Sequence, residues 1–162
     1  MDAFIAWLQS TSLSQAINAS LWLWPICETI HFVGLTLVLG CAGFFDLRLM
    51  GFLRRVPIAG ARMLMPWATA GFLLNLTTGL IFLIGHPEQY FTNPAWWLKV
   101  SCLVIAGANA LVFERFAAGG TLGLEAGEDT PRSAKAAGAI SLVAWIGVLY
   151  WGRMLPFIGD AF

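Results

Sequence analysis

Four apolar runs, each close to the length that a helix needs to cross a bilayer, constrain this chain more than any other feature. They lie near residues 25–47, 64–85, 95–116 and 136–157. About 20 apolar residues in helical conformation span roughly 30 Å of hydrocarbon, so each run predicts one membrane-spanning helix. Charged residues form 11% of the sequence and fall mainly between the runs. The sequence therefore predicts an all-α integral membrane protein whose single domain is a four-helix bundle in contact with the lipid bilayer.

The ends and connections of these runs predict an orientation. Residues 1–20 mix apolar and polar side chains in a stretch too short to span, and we expect an amphipathic helix along the membrane surface. Short loops rich in lysine and arginine stay in the cytoplasm. Both termini are therefore expected on the outer side, because the connections after the first and third runs, with the residues bordering them, hold seven of the nine basic residues: Arg48, Arg54, Arg55, Arg62, Arg115, Arg132 and Lys135.

Charge and cysteine usage exclude several classes of protein. The formal net charge is +0 and no basic patch lies outside the short loops, so a nucleic-acid partner is not expected. Cys27, Cys41 and Cys102 all fall within predicted spans, which favours small apolar packing over a disulfide framework. Glycine and alanine in the spans permit close helix packing, and we expect a homo-oligomer.

One stretch of the first span, residues 25–34, carries a carboxylate and an imidazole inside apolar surroundings. Glu28, His31 and Gly34 are spaced i, i+3 and i+6, so on a helix they share roughly one quadrant. A charged side chain at mid-membrane costs about 2.5–3.5 kcal/mol on insertion scales. Such a cost predicts a partner, a ligand or a proton at this stretch.

The basic residues that depart from the cytoplasmic bias fall at a similar depth. At about 1.5 Å per residue, Glu28, His31, Lys99 and Arg153 all lie within roughly the outer third of the membrane, with His86 at its mouth. We expect these side chains to converge on a bound group. The competing interpretation is that Lys99 and Arg153 extend separately to headgroups while His31 bonds a carbonyl.

Haem b fits this set of residues best. His31 supplies an axial nitrogen, His86 is the candidate second ligand, and Gly34 allows a flat macrocycle to approach the helix. Lys99 and Arg153 neutralise propionates near the surface. Glu28 then tunes the centre or handles a proton. The corresponding function is electron transfer, as an oxidoreductase or an electron-transfer subunit, with a quinone or a redox protein as partner.

Three alternatives stay open at this point. Copper would use His31 together with Cys27, four residues earlier, and Met154 in the same layer. A proton-coupled carrier or sensor would titrate Glu28 and His31 without any cofactor. A purely structural membrane subunit would neither bind a cofactor nor use the titration of Glu28 and His31.

The combination of Pro25-x-x-Glu28-x-x-His31-x-x-Gly34, Asp46-x-Arg48, Asn93-Pro-Ala-x-x-x-Lys99, Ala106-Gly-x-Asn109-Ala and Gly152-Arg153 resembles a known pattern. It is similar to a family of small bacterial four-helix inner-membrane proteins of unknown function, loosely similar in turn to copper-resistance and b-type cytochrome membrane proteins. The resemblance covers about residues 20–157 and implies a multi-pass protein of the bacterial inner membrane. Relatives often carry histidine where this chain has Glu114, so the outer site with His31 must function alone here.

Overall fold

The structure is a computed structural model that describes residues 1–158, and it contains four helices long and apolar enough to cross a membrane. The predictions of an all-α fold and of a bundle of four candidate spans are confirmed. One π-helical turn, Phe113–Ala117, continues α7, and a 3-10 turn, Leu155–Phe157, follows α8. The helices are α1 (Asp2–Ser10), α2 (Ser12–Ala19), α3 (Leu23–Met50), α4 (Ile58–Arg62), α5 (Met65–Gly85), α6 (Pro87–Phe91), α7 (Pro94–Val112) and α8 (Arg132–Met154).

Local sequence signals account for two of the boundaries. The side chain of Asn93 accepts a hydrogen bond from the backbone N–H of Ala95 (2.9 Å), and Pro94 occupies the first turn of α7, where a missing N–H costs nothing. Asn93 followed by Pro94 also predicts a helix start from the sequence alone, and this prediction is confirmed. At the other boundary, α3 ends at Gly51, whose φ of 93° lies in the left-handed region that glycine adopts without strain.

The N-terminal segment forms two short helices that meet at Thr11. The Thr11 hydroxyl accepts a hydrogen bond from the backbone N–H of Ser14 (3.2 Å) and so begins α2. Helix α2 packs on the end of α5, where Asn18 donates to the Gly85 carbonyl (2.9 Å) and Ile17 is buried. These contacts fix the segment against the bundle.

The four long helices pack as two connected pairs. Helix α3 packs against both α5 and α8, and α7 packs against α8. Within residues 1–158, α5 and α7 do not pack extensively against each other, so α3 and α8 join the two pairs. The bundle is therefore open along one side, between α5 and α7.

One end of the bundle carries the connections 51–57 and 118–131, and we name it the basic end because Arg54 and Arg55 lie in the first connection and further basic residues border both. Arg48, in the last turn of α3, is fully buried there. Its guanidinium donates to the carbonyls of Val56, Glu125 and Glu128, so one side chain joins both connections to α3. A buried apolar cluster surrounds this region: Phe45, Leu49, Ile58, Ala61, Phe113, Ala118 and Ala134. The end formed by α1, α2 and α6 is the opposite end.

Candidate functional site

The structure places His31 in α3, facing α5. Its imidazole Nδ1 lies 2.7 Å from the Thr78 hydroxyl. That hydroxyl also bonds the Leu74 carbonyl one turn earlier (2.8 Å), an arrangement in which the hydroxyl is the donor. The hydroxyl oxygen then accepts from the imidazole, so we assign the proton of neutral His31 to Nδ1. Nε2 is left with an available lone pair.

Asn75 lies one turn before Thr78 and contacts the backbone of α3 at His31 and Leu35. Its amide nitrogen donates to the His31 carbonyl (2.6 Å) and its amide oxygen accepts from the Leu35 N–H (3.0 Å), in the orientation that satisfies both groups. An α-helix normally joins that carbonyl and that N–H directly. Helix α5 therefore holds His31 through its side chain and through its backbone. Asn75 and Thr78 are polar residues within the second predicted span, where the sequence predicts interhelical hydrogen bonds, and these bonds are confirmed.

Helices α3 and α5 approach each other closely at Gly34 and Gly71, one helical turn beyond His31 in α3. A Cβ on Gly34 would lie 2.7 Å from the Gly71 carbonyl oxygen, and a Cβ on Gly71 would lie 2.6 Å from the Gly34 carbonyl oxygen. Only glycine fits at both positions. The surface over Gly34, expected to admit a macrocycle, is covered by α5. Gly79 instead leaves space beside the imidazole, since a Cβ there would be 4.0 Å from Cε1 of His31.

Two aromatic rings connect His31 to His86. The Phe82 ring is 5.7 Å from the His31 ring and 4.7 Å from the Trp24 ring, measured between centroids. Trp24 in turn makes an edge contact with His86 at 5.2 Å. His86 also lies near Glu88, with Nδ1 3.5 Å from Oε1. A macrocycle ligated by both histidines would have to displace Phe82 and Trp24.

Lys99 and Arg153, the two basic residues predicted to bind haem propionates, lie in different places. Lys99 extends from α7 to α8, where its Nζ lies 3.5 Å from the position that a Cβ on Gly152 would occupy, and its charge acts on His31. Among residues 1–158, no carboxylate lies within 4 Å of this ammonium. Arg153 is exposed, with its guanidinium 5.1 Å from the centre of the Phe157 ring. The charge of Lys99 is thus within electrostatic range of His31, whereas Arg153 faces Phe157.

Glu28 is exposed on α3 and acts on Tyr90 of α6. Partial burial raises the pKa of Tyr90 to about 12, and the negative charge of Glu28 acts in the same direction. A tyrosine that keeps its proton can donate a hydrogen bond throughout the physiological range. Glu28 is therefore within electrostatic range of Tyr90, a residue that no sequence pattern singles out.

Three protein ligands for a metal ion do not meet anywhere within the described residues. No group of three or more histidine, cysteine, aspartate or glutamate side chains is arranged to hold a metal ion in residues 1–158. Cys27 is buried in α3, and Cys41 and Cys102 are half-buried. A haem would need fewer ligands from the protein, because the porphyrin itself supplies four of the donors to iron and an imidazole nitrogen such as Nε2 of His31 could supply another.

Comparisons of the chain with protein-family models, with curated proteins and with solved structures give no match. The resemblance to small inner-membrane proteins stays a prediction. We therefore infer the function of the chain from the geometry around His31.

Sequence reasoning selected His31 but missed two of its immediate neighbours. Gly79 and Phe82 lie on the same face of α5 as Thr78, one and four residues further along. The sequence does contain a signal for these neighbours, since Thr78 and Phe82 are one helical turn apart and Gly79 lies between them. Nothing in one sequence says that this face of α5 meets His31.

Proposed function

We propose that this chain is a membrane haem b protein for electron transfer, with Nε2 of His31 as the one axial ligand from the protein. The observation that carries the proposal is the hydrogen bond between Nδ1 of His31 and Thr78. A ligating histidine characteristically donates its other ring N–H to a neighbouring acceptor, which fixes the tautomer and the ring orientation. Thr78 fills that role, and Asn75 fixes the backbone beneath it.

The surroundings of His31 support an anionic, flat ligand. Gly79 keeps side-chain atoms away from one edge of the imidazole, and Lys99 supplies a positive charge that acts on the same residue. Lys99 would hold a propionate, while Phe82 provides an aromatic surface next to the ring. A bound haem supplies a one-electron centre whose potential depends on its axial ligand, its burial and nearby charge.

His86 and Arg153 take lesser parts in this proposal. Phe82 and Trp24 connect the two imidazoles by ring contacts, so His86 is assigned no ligand role. Arg153 contacts Phe157 and is assigned to the membrane surface. Glu28 and Tyr90 handle or hold a proton at the opposite end, where a quinone or a redox protein would approach.

The charge distribution supports an orientation for this site. The basic end, with its connections and the residues bordering them, carries seven of the nine lysine and arginine residues, which favours the cytoplasmic side. Both termini and the His31 site then lie toward the outer side of a bacterial inner membrane. The stripes of glycine and alanine on the spans are consistent with a homo-oligomer.

Titration of the purified full chain with hemin in lipid nanodiscs tests the proposal. We expect a Soret band that saturates at one haem per chain, with quenching of tryptophan fluorescence. His31→Ala should abolish the saturable band, whereas the matched control His86→Ala should retain it. An equal band in His31→Ala, or no saturable binding by the parent chain, would overturn the proposal. A colourless chain in which His31 titrates would favour the proton-coupled alternative.

A further inference from the structure

A separate cavity lies in the half of the bundle nearer the basic end. It has a volume of about 270 Å³ and is bounded by α3, α5, α7, the π-helical turn and α8, at the place where α5 and α7 stand apart. Phe72 of α5 and Trp145 of α8 line it and meet edge to face at 6.3 Å. The residues of the His31 site do not line this cavity.

Asp46 is the one acidic side chain buried in its wall. The residue is 4% exposed, and its Oδ2 atom is buried without a hydrogen-bond partner. Ser141 of α8 lies beside the carboxyl group and also lines the cavity. A buried oxygen without a hydrogen-bond partner destabilises the fold, so its presence in a cavity wall calls for an explanation.

The neighbouring charges do not satisfy Asp46. Arg48, two residues later, directs its guanidinium to the carbonyls of the basic-end connections. Arg62 pairs with Glu114, which lines the cavity, at 2.9 Å. Within residues 1–158 no basic side chain forms an ion pair with Asp46.

Most other polar groups in the wall already have partners. The Asn109 amide donates to the Ala137 carbonyl (2.9 Å), the Thr69 hydroxyl donates to the Met65 carbonyl (3.0 Å), and Glu114 is paired with Arg62. What remains is a largely apolar chamber in which the buried carboxyl group of Asp46, with the Ser141 hydroxyl beside it, can orient a small apolar molecule.

We propose that this cavity binds one small apolar molecule from the membrane through a hydroxyl group that donates a hydrogen bond to Asp46. An apolar cavity of about 150 Å³ can hold benzene, so 270 Å³ accommodates a body of one or two rings. The gap between α5 and α7 opens toward lipid, which gives a lipid-soluble phenol or quinol access to the carboxyl group.

This inference does not depend on haem at His31. Asp46 lies 15 residues further along α3, which corresponds to roughly 22 Å at about 1.5 Å per residue. Loss of haem binding would therefore leave the prediction for the cavity unchanged, and loss of cavity binding would leave the Soret band unchanged.

A photoreactive phenol bearing a diazirine, used on the full chain in nanodiscs and mapped by mass spectrometry, tests the proposal. Labelling should fall on cavity residues. Competition by 2-naphthol should be about tenfold stronger than competition by 2-methoxynaphthalene, which lacks the donor. Asp46→Leu should remove that difference and keep apolar binding. Equal competition in the parent chain would show that the hydroxyl group adds nothing to binding and would overturn the proposal.

Gly107 offers a way to fill the cavity without disturbing the fold. It lines the cavity, and a Cβ there would meet no atom within 4 Å. Gly107→Phe should therefore reduce cavity labelling at least about tenfold. Gly40→Phe is the matched control, because Gly40 has equally open surroundings in α3 but does not line the cavity. Unchanged labelling in Gly107→Phe would contradict the proposed site.

Discussion

Nδ1 of His31 lies 2.7 Å from the hydroxyl of Thr78, across the contact between α3 and α5. Because of this hydrogen bond, the imidazole of His31 is held in one tautomer, with its proton on Nδ1. Asn75 satisfies the backbone on either side of the same helical turn, and Gly34 and Gly71 bring the two helices close enough for both bonds.

The tautomer of His31 is directly measurable. The chain contains two histidines, so His86→Gln leaves one imidazole whose nitrogen-15 shifts report both ring nitrogens. We expect a protonated Nδ1 and an unprotonated Nε2, because Thr78 accepts from the former. Thr78→Val should abolish this preference and Thr78→Ser should keep it. A protonated Nε2 in the parent would contradict the assignment.

The glycine pair sets the distance between α3 and α5. Gly34→Ala or Gly71→Ala should destabilise the fold by about 1–3 kcal/mol, because each new Cβ meets a carbonyl oxygen of the facing helix. Unfolding in mixed micelles would measure the change. Gly40→Ala, where a Cβ meets nothing within 4 Å, should cost nothing. Equal behaviour of the three variants would show that the helices are further apart.

Arg48 should be essential to the order of the basic end. Arg48→Met removes the guanidinium donor from the carbonyls of Val56, Glu125 and Glu128, and we expect a loss of about 2–4 kcal/mol in the free energy of unfolding. Limited proteolysis should then cleave the 118–131 connection faster than in the parent. The exposed Arg55 provides the control, since Arg55→Met should leave the cleavage rate unchanged. Equal rates for both variants would remove Arg48 from this role.

The side chain of Tyr90 should lose its proton at a higher pH than an exposed tyrosine does. With Tyr150→Phe as background, Tyr90 is the remaining tyrosine, and its tyrosinate absorbance should rise near pH 12. Because the folded chain keeps a proton that an unfolded chain releases near pH 10.0, stability should fall as the pH rises above that value. Glu28→Gln should lower the midpoint, since it removes a negative charge. A midpoint near 10 in the parent chain would contradict the burial of Tyr90, and equal midpoints in the two chains would show that Glu28 and Tyr90 are not neighbours.

The fold was predictable because membrane spans depend on length and hydropathy, both of which a single sequence displays. Each of the four runs exceeds the length of a bilayer crossing, and Asn93-Pro94 marks a helix start by local chemistry alone. The bonds from Asn75 and Thr78 followed from the cost of polar side chains in lipid.

The partners of those polar groups were not predictable, because they depend on how the helices rotate about their axes. Gly34 has the same sequence spacing whether it faces a ligand or α5, and the structure places α5 against it. Asp46 and Arg48 read as charges that mark the exit of the first span, yet α3 continues to Met50 and buries both. Burial of these two groups follows from the packing of α8 and the connections, which no local pattern specifies.

The absorption spectrum of the chain purified from bacterial membranes, with no haem added, shows whether His31 holds a haem. We expect a Soret band in the parent chain and in His86→Ala, its loss in His31→Ala, and a weakened or shifted band in Thr78→Val. A colourless parent chain, or a band that survives His31→Ala unchanged, would contradict the haem proposal.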